Sequence, residues 1–86
     1  MASYRVLIAK SAARELEAVP LKNRRRIIAR IRALSDDPRP PGCEKLSGED
    51  KYRVRQGDYR ILYEIADADV VVTVIRVGNR RDVHRR

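Results

Sequence analysis

The sequence predicts an α+β domain in which two N-terminal helices cover one face of a small, mainly antiparallel sheet, in the order β-α-α-β-β-β. Three observations support this prediction. An apolar stripe of helical period runs through residues 27–34. Residues 51–77 divide into three strand-like segments, the last of them rich in β-branched side chains, and short turns with Gly or Asp separate these segments. Because 86 residues can build only one core, we expect a single domain spanning residues 1–86.

The first half of the chain is predicted to hold one strand and two helices. Residues 3–9 alternate between two sides, as a strand does. Ser11 is then the expected N-cap of a helix over residues 12–19, and Pro20 the expected first residue of the second helix. That second helix must end before Pro38, because proline disfavours helical geometry in the residue that precedes it.

The second half is predicted to be a loop followed by three strands. Pro and Gly punctuate residues 39–50, which are therefore assigned to the loop. Strands are expected at residues 51–56, 59–66 and 70–77, and the short turns between them make neighbours antiparallel. The third is so rich in β-branched residues that we expect it at the buried centre of the sheet.

Arginine dominates the charge of the chain. The net charge is +8, and 16 of the 20 basic residues are arginine. A guanidinium stays charged and presents a planar fork of donors that fits phosphate, so we expect a polyanionic partner: nucleic acid, an acidic protein, or both in turn. No apolar run is long enough to span a membrane and no signal peptide opens the chain, so we expect a cytoplasmic protein.

Metal and thiol chemistry are not expected. Cys43 is the only cysteine and stands in a Pro/Gly-rich stretch with no base nearby in sequence, so it is interpreted as an incidental loop residue. No cluster of carboxylates suggests a bound metal. We therefore expect neither a metal ion nor a small-molecule cofactor.

Three arginines are expected on the sheet face that turns away from the helices. Side chains alternate across a strand, so Arg53 and Arg55 share a face, and Arg60 joins them from the next strand. Tyr59 and Tyr63 fall on the opposite, apolar face and are interpreted as core residues. Neighbouring like charges destabilise a sheet, so the arginines indicate an anion site, although a solvated outer face is the alternative.

The chain beyond the third strand adds Arg80, Arg81 and His84. Cleavage of a phosphodiester by its own 2′-hydroxyl builds negative charge that preorganised cations stabilise, and its proton transfers need a group that titrates near neutrality. His84, the only histidine, has that property, although by itself it would fit an incidental surface residue. The combination predicts metal-free cleavage of RNA.

The second helix carries a further basic set, whose solvated-surface interpretation competes with a contact to the RNA backbone or the ribosome. Its members are Arg24, Arg25, Arg26, Arg30 and Arg32.

Several blocks of this sequence resemble one toxin family. They are Lys51-Tyr52-Arg53-Val54-Arg55, Gly57-Asp58-Tyr59-Arg60 and Gly78-Asn79-Arg80-Arg81-Asp82-Val83-His84. Together they are similar to the RelE branch of the RelE/ParE toxin superfamily. The resemblance implies the toxin of a type II toxin–antitoxin system, which enters the ribosomal A site and cuts mRNA there by 2′-hydroxyl attack, leaving a 2′,3′-cyclic phosphate. It also implies a RelB-like antitoxin, which we expect to be acidic because this chain carries +8.

The resemblance also implies roles for individual residues. Arg53 and Arg55 fall where the family has basic site residues, often lysines, while Arg60 and Arg80 match its phosphate-stabilising arginines. His84 falls where members have Tyr or His, and would act as general base or general acid. Arg81 is a neighbouring candidate of lower rank. Arginine at positions 53 and 55 keeps the charge but supplies no easily released proton, which moves the acid–base work to His84.

Two other functions compete with this one. A ParE-like toxin would bind DNA gyrase and perform no RNA chemistry, but such relatives generally lack the full basic set with a C-terminal His or Tyr. A non-catalytic nucleic-acid-binding module would contact phosphates without cleaving them.

Overall fold

The computed structural model describes residues 3–46 and 50–79, which form two helices and a five-stranded sheet. The elements are β1 (Arg5–Ile8), α1 (Lys10–Glu17), α2 (Leu21–Ala33), β2 (Glu44–Lys45), β3 (Lys51–Gln56), β4 (Tyr59–Ala66), a 3-10 turn (Asp67–Asp69) and β5 (Val71–Asn79). The sheet order is β1-β5-β4-β3-β2, with β1 parallel to β5 and the other pairs antiparallel. The predicted α+β fold with both helices on one face of the sheet is confirmed. Within the described ranges, no helix has the length and apolar character needed to cross a membrane.

The core lies between the two helices and the inner face of β3, β4 and β5. In α2 the predicted stripe is buried, with Ile27, Ile31 and Leu34 at most 2% exposed, because these positions recur on one side of a helix. Ala12 and Leu16 do the same for α1. The sheet contributes Tyr52, Val54, Ile61, Tyr63, Ile65, Val72, Val74 and Val77.

The start of α1 differs from the prediction. The helix begins at Lys10 and its N-cap is Ala9, which offers no side-chain cap, so the assignment of Ser11 as N-cap is wrong. Tertiary contacts decide this start: the Ala9 amide donates to the Val74 carbonyl at 2.9 Å, and the Ser11 hydroxyl donates to the Ile75 carbonyl at 3.1 Å. Pro20 is the N-cap of α2, one position before its predicted place, and its carbonyl accepts the Arg24 amide at 2.8 Å.

The sheet differs from the prediction in two respects. The predicted loop contains β2, a two-residue strand paired with β3. The strand at the centre is β4 and not β5, the strand rich in β-branched residues. β5 lies second from one edge of the sheet, because β1 pairs with its outer side. A bulge explains the pattern of β5: Leu62 pairs with Arg76 but Tyr63 pairs with Val74, which leaves Ile75 extra and lets both Val74 and Val77 face the core.

The loop before β2 is fastened to the sheet at two points. Tyr63, fully buried, donates its hydroxyl to the Pro38 carbonyl at 2.7 Å. Arg39 forms a fork with Asp67 through bonds of 2.8 and 3.2 Å, and its guanidinium lies 5.1 Å above the Tyr52 ring. These contacts determine where the chain enters β2, and hence where Glu44 meets β3.

Candidate nucleic-acid interface

The arginine cluster, defined as Arg53, Arg55 and Arg60, lies on the hairpin of β3 and β4. In the strand register Arg55 is directly opposite Arg60, and Arg53 is opposite Leu62. All three side chains therefore start from the sheet face opposite the core, as predicted, with the directly paired residues about 5 Å apart at Cβ and the diagonal pair about 7–8 Å apart. The pairing of β3 with β4 alone brings these three residues together.

A tight turn joins the two strands of this hairpin. Gln56 pairs with Tyr59, so the connection is the two residues Gly57 and Asp58. Gly57 has φ +61°, a left-handed value that an L side chain rarely adopts, whereas Asp58 has negative φ. Positive φ at the first central position alone is the pattern of a type II′ turn, whose twist matches that of the strands. Gly57 thereby sets the register that places Arg55 against Arg60.

The three arginines differ in exposure. Arg55 is exposed, the side chain of Arg53 is 18% exposed, and Arg60 is 3% exposed. Charge in a poorly hydrated place interacts more strongly with an approaching anion than charge in water does. Arg60 is therefore the member best suited to stabilise negative charge, and Arg55 the one that solvent and ligands reach first.

Glu44, which sequence analysis did not identify, lies against the arginine cluster. It lies opposite Arg53 in the β2–β3 register and accepts two hydrogen bonds at Oε1, from Nε at 2.9 Å and from Nη2 at 2.5 Å. The hydrogen bond from Arg53, together with the charges of Arg53, Arg55 and Arg60, holds the pKa of the Glu44 carboxyl below its usual range. An isolated Glu in a Pro/Gly-rich loop gives no sign of this pairing, which requires a strand too short to show a pattern.

Beyond the end of β1, α1 makes the hydrogen bonds along the outer edge of β5. After β1 ends at Ile8, the amide of Val77 donates to Oε1 of Glu15 at 2.7 Å, and Arg76 donates from Nε to Oε2 of the same carboxylate at 3.0 Å. Gly78 then pairs with Arg60 on β4. These contacts bring the end of β5 alongside the cluster, since its last residue, Asn79, pairs with Tyr59, the neighbour of Arg60. Arg80, Arg81 and His84 lie outside the described residues.

The predicted basic set of α2 has mixed roles. Arg24 donates to the carbonyls of Glu17 and Val19 at 3.1 Å each through Nη2, which ties α2 to the C-terminal end of α1. Arg25 and Arg26 are exposed. Arg30 is half-buried, and its buried Nε has no hydrogen-bond partner within the described ranges. The interpretation of Tyr59 and Tyr63 as core-side residues is confirmed, since Tyr63 is 0% exposed and Tyr59 packs against the core.

Comparison with known families gives the class of protein. Residues 6–84 match the profile described as the ParE toxin of type II toxin-antitoxin system, parDE. The match spans the sheet, both helices and the arginine cluster. This chain belongs to that family of toxins.

Solved structures place the chain on the RelE branch of the superfamily. It is similar to a chain of the toxin–antitoxin complex RelBE2 from Mycobacterium tuberculosis, at 29% identity and TM-score 0.83, covering 93% of this chain and 94% of that one. It is also similar to a chain of the archaeal RelE–RelB complex from Pyrococcus horikoshii, at 32% identity and TM-score 0.83, covering 91% and 96%. In sequence, it matches Toxin RelG of M. tuberculosis at 43% identity over 35 residues, 41% of this chain and 40% of RelG.

Proposed function

We propose that this toxin is a ribosome-dependent, metal-independent endoribonuclease that cuts mRNA in the ribosomal A site. The observation that carries the proposal is the arginine cluster: three guanidinium groups rise from adjacent positions of two paired strands on one face of the sheet. A fold that only needed solubility would gain nothing from like charges at directly opposite positions, which destabilise a sheet. A phosphate bound between them relieves that repulsion.

The chemistry follows from where charge develops. The 2′-hydroxyl of the cleaved nucleotide loses its proton and attacks the adjacent phosphorus, while the 5′-oxygen leaves with a proton, giving a 2′,3′-cyclic phosphate and a 5′-hydroxyl. Negative charge accumulates on the phosphorus oxygens in between. Arg60, nearly excluded from water, stabilises that charge, and removing one such preorganised donor typically costs about 10²–10³ in rate. Arg53 and Arg55 bind and orient the phosphate.

The proton transfers are assigned to the chain beyond β5. His84 is proposed as general base on the 2′-hydroxyl or general acid on the leaving oxygen, because an imidazole titrates near neutrality and arginine does not. Arg80 is proposed as a second phosphate-stabilising group. Arg81, with Arg25, Arg26 and Arg30 of α2, is proposed to contact RNA or the ribosome through backbone phosphates. Arg24 supports this set from its bonds to α1.

An acidic, RelB-like antitoxin is proposed as the inhibitory partner in the cytoplasm. Two facts support it: the net charge of +8, and similarity to chains whose structures were solved in RelB–RelE complexes. Expression of this chain alone should arrest growth. Co-expression of the small open reading frame next to its gene should relieve the arrest, and growth arrest that persists would argue against this partner.

The nuclease is tested in a purified translation system with ribosomes halted at an empty A site. We compare the wild type with Arg60→Ala and His84→Ala, using Arg14→Ala, an exposed arginine of α1, as the control. Cuts within the A-site codon should appear with the wild type and the control and fall at least about a hundredfold in the two site variants. Cleavage by all four proteins at equal rates would remove Arg60 and His84 from the mechanism.

A second candidate follows from the family profile, whose description names ParE. A ParE-like toxin would inhibit DNA gyrase without cutting RNA. Supercoiling of relaxed plasmid by purified gyrase separates the two: no inhibition is expected, and inhibition without mRNA cleavage would favour the gyrase inhibitor. Binding of RNA with neither activity, unchanged by His84→Ala, would leave a non-catalytic nucleic-acid-binding module.

A further inference from the structure

We propose that Glu44 is an internal substitute for the RNA phosphate: in the free toxin its carboxylate occupies the guanidinium of Arg53, and RNA binds by displacing it. The proposal rests on the function proposed above and adds a competing residue to the same site. Glu44 then weakens RNA binding, so that removing its carboxylate raises the affinity of the toxin for RNA.

The contact has the geometry with which arginine holds an oxyanion. Nε and Nη2 of Arg53 both donate to Oε1 of Glu44, and the two residues are directly opposite in the β2–β3 register. A phosphate oxygen can accept hydrogen bonds from the same two donors. Because one edge of the guanidinium is filled by Glu44, a phosphate reaches that edge only after the carboxylate has left.

The carboxylate stands within the field of the whole cluster. Arg53, Arg55 and Arg60 all act on its charge. In the free toxin the Glu44 carboxylate offsets part of the repulsion between arginines at paired positions. A phosphate that displaces it does the same, so the cluster exchanges one anion for another and is never left with its full positive charge.

Displacement is feasible because Glu44 is weakly held. β2 has only two residues, and the Glu44 side chain is 51% exposed, so water can solvate the released carboxylate. Ion pairs with this exposure change an equilibrium by about 1.5- to 5-fold. Glu44 therefore discourages weak, single-phosphate contacts but does not prevent binding of an RNA that engages several arginines.

The test measures binding of a short, uncleavable 2′-O-methyl RNA by fluorescence anisotropy. Glu44→Gln keeps the shape of the side chain and removes its charge. The matched control is Glu64→Gln, an exposed glutamate on the outer face of β4, opposite Lys51 rather than the cluster. Both variants change the net charge equally, so any general field effect appears in both. Glu44→Gln should bind about 1.5- to 5-fold more tightly than Glu64→Gln.

A second comparison shows whether Glu44 acts through Arg53. In an Arg53→Ala background the gain from Glu44→Gln should vanish, since there is no guanidinium left to release, whereas a direct effect on RNA would persist. Equal affinity of Glu44→Gln and Glu64→Gln would overturn the proposal. Unchanged binding with loss of mRNA cleavage would also overturn it, because Glu44 would then be a catalytic group.

A different set of results would refute the nuclease itself. If the wild type neither binds the RNA nor cuts mRNA, the nuclease is refuted, and all proteins of the binding test, including the Arg53→Ala variants, are titrated with inorganic pyrophosphate. Tighter binding by Glu44→Gln than by Glu64→Gln, lost with Arg53→Ala, would still establish the exchange. If Glu44→Gln and Glu64→Gln bind pyrophosphate equally well, displacement of Glu44 by a phosphate is refuted as well.

Discussion

Replacing Tyr63 by Phe tests how the loop that carries Glu44 is held in place. The substitution removes one oxygen atom and leaves a ring that is 0% exposed and stacks on Tyr52 at 5.9 Å between centroids. The lost bond, 2.7 Å to the Pro38 carbonyl, leaves that acceptor in a buried residue without its donor. Leaving a buried acceptor unsatisfied costs about 1–2 kcal/mol, so Tyr63→Phe should lower the free energy of unfolding by that amount.

Thermal denaturation followed by circular dichroism measures this loss. For a domain of this size, about 1–2 kcal/mol corresponds to a fall in Tm of roughly 4–16 °C. Tyr59→Phe is the matched control: it removes the same atom from a half-buried tyrosine whose hydroxyl makes no hydrogen bond within residues 3–46 and 50–79. Equal Tm values for the two variants would show that the bond from Tyr63 to Pro38 adds nothing to stability.

Alkaline pH gives an independent measure of the same group. Burial raises the pKa of the Tyr63 hydroxyl above its usual value of 10.0. A group whose pKa is raised by folding stabilises the protein fully below its unfolded pKa and loses that effect as pH rises towards the folded pKa. Stability of the wild type should therefore decline above about pH 10, and Tyr63→Phe should decline less steeply.

Three further predictions concern stability. The hydrogen bonds from Arg39 and Tyr4 lower the pKa of Asp67. The ionised Asp67 should therefore stabilise the protein fully above the unfolded pKa of 3.8, and this stabilisation should be lost as pH falls through the lower folded pKa. Asp67→Asn should abolish that acid dependence in urea denaturation. Glu15→Ala should cost about 1–2 kcal/mol in the same assay, because it removes the acceptor of the Val77 amide. Val70 has φ +56°, costly for a β-branched residue, so Val70→Asn should raise stability by about 1 kcal/mol, and a lower Tm would contradict this.

The sequence predicted the arginine cluster correctly because its strands follow local rules. The bounds of β3 and β4 coincide with the expected residues 51–56 and 59–66, since alternation and the Gly57-Asp58 turn determine them. Once two strands pair across a two-residue turn, the face of each side chain follows from its parity. Arg55 opposite Arg60 is such a consequence.

The errors arose where distant contacts override local preference. Ser11 has the chemistry of an N-cap but donates to the Ile75 carbonyl instead, because α1 covers the edge of β5 beyond the end of β1. The frequency of β-branched residues in β5 reflects neighbours on both sides, which its second place in the sheet also provides. Glu44 was missed because its position depends on the anchoring of Pro38 and Arg39 to the sheet, more than ten residues away in sequence.

In the proposed mechanism a 2′-hydroxyl of the mRNA is the nucleophile, and the arginine cluster stabilises the charge that its attack creates. The most direct test supplies ribosomes with two messages that differ by 2′-deoxy substitution of the A-site codon. The ribose message should be cut in that codon, with a 2′,3′-cyclic phosphate at the new end, and the deoxy message should stay intact. Cutting of the deoxy codon at a similar rate would show attack by water instead, and would contradict the mechanism.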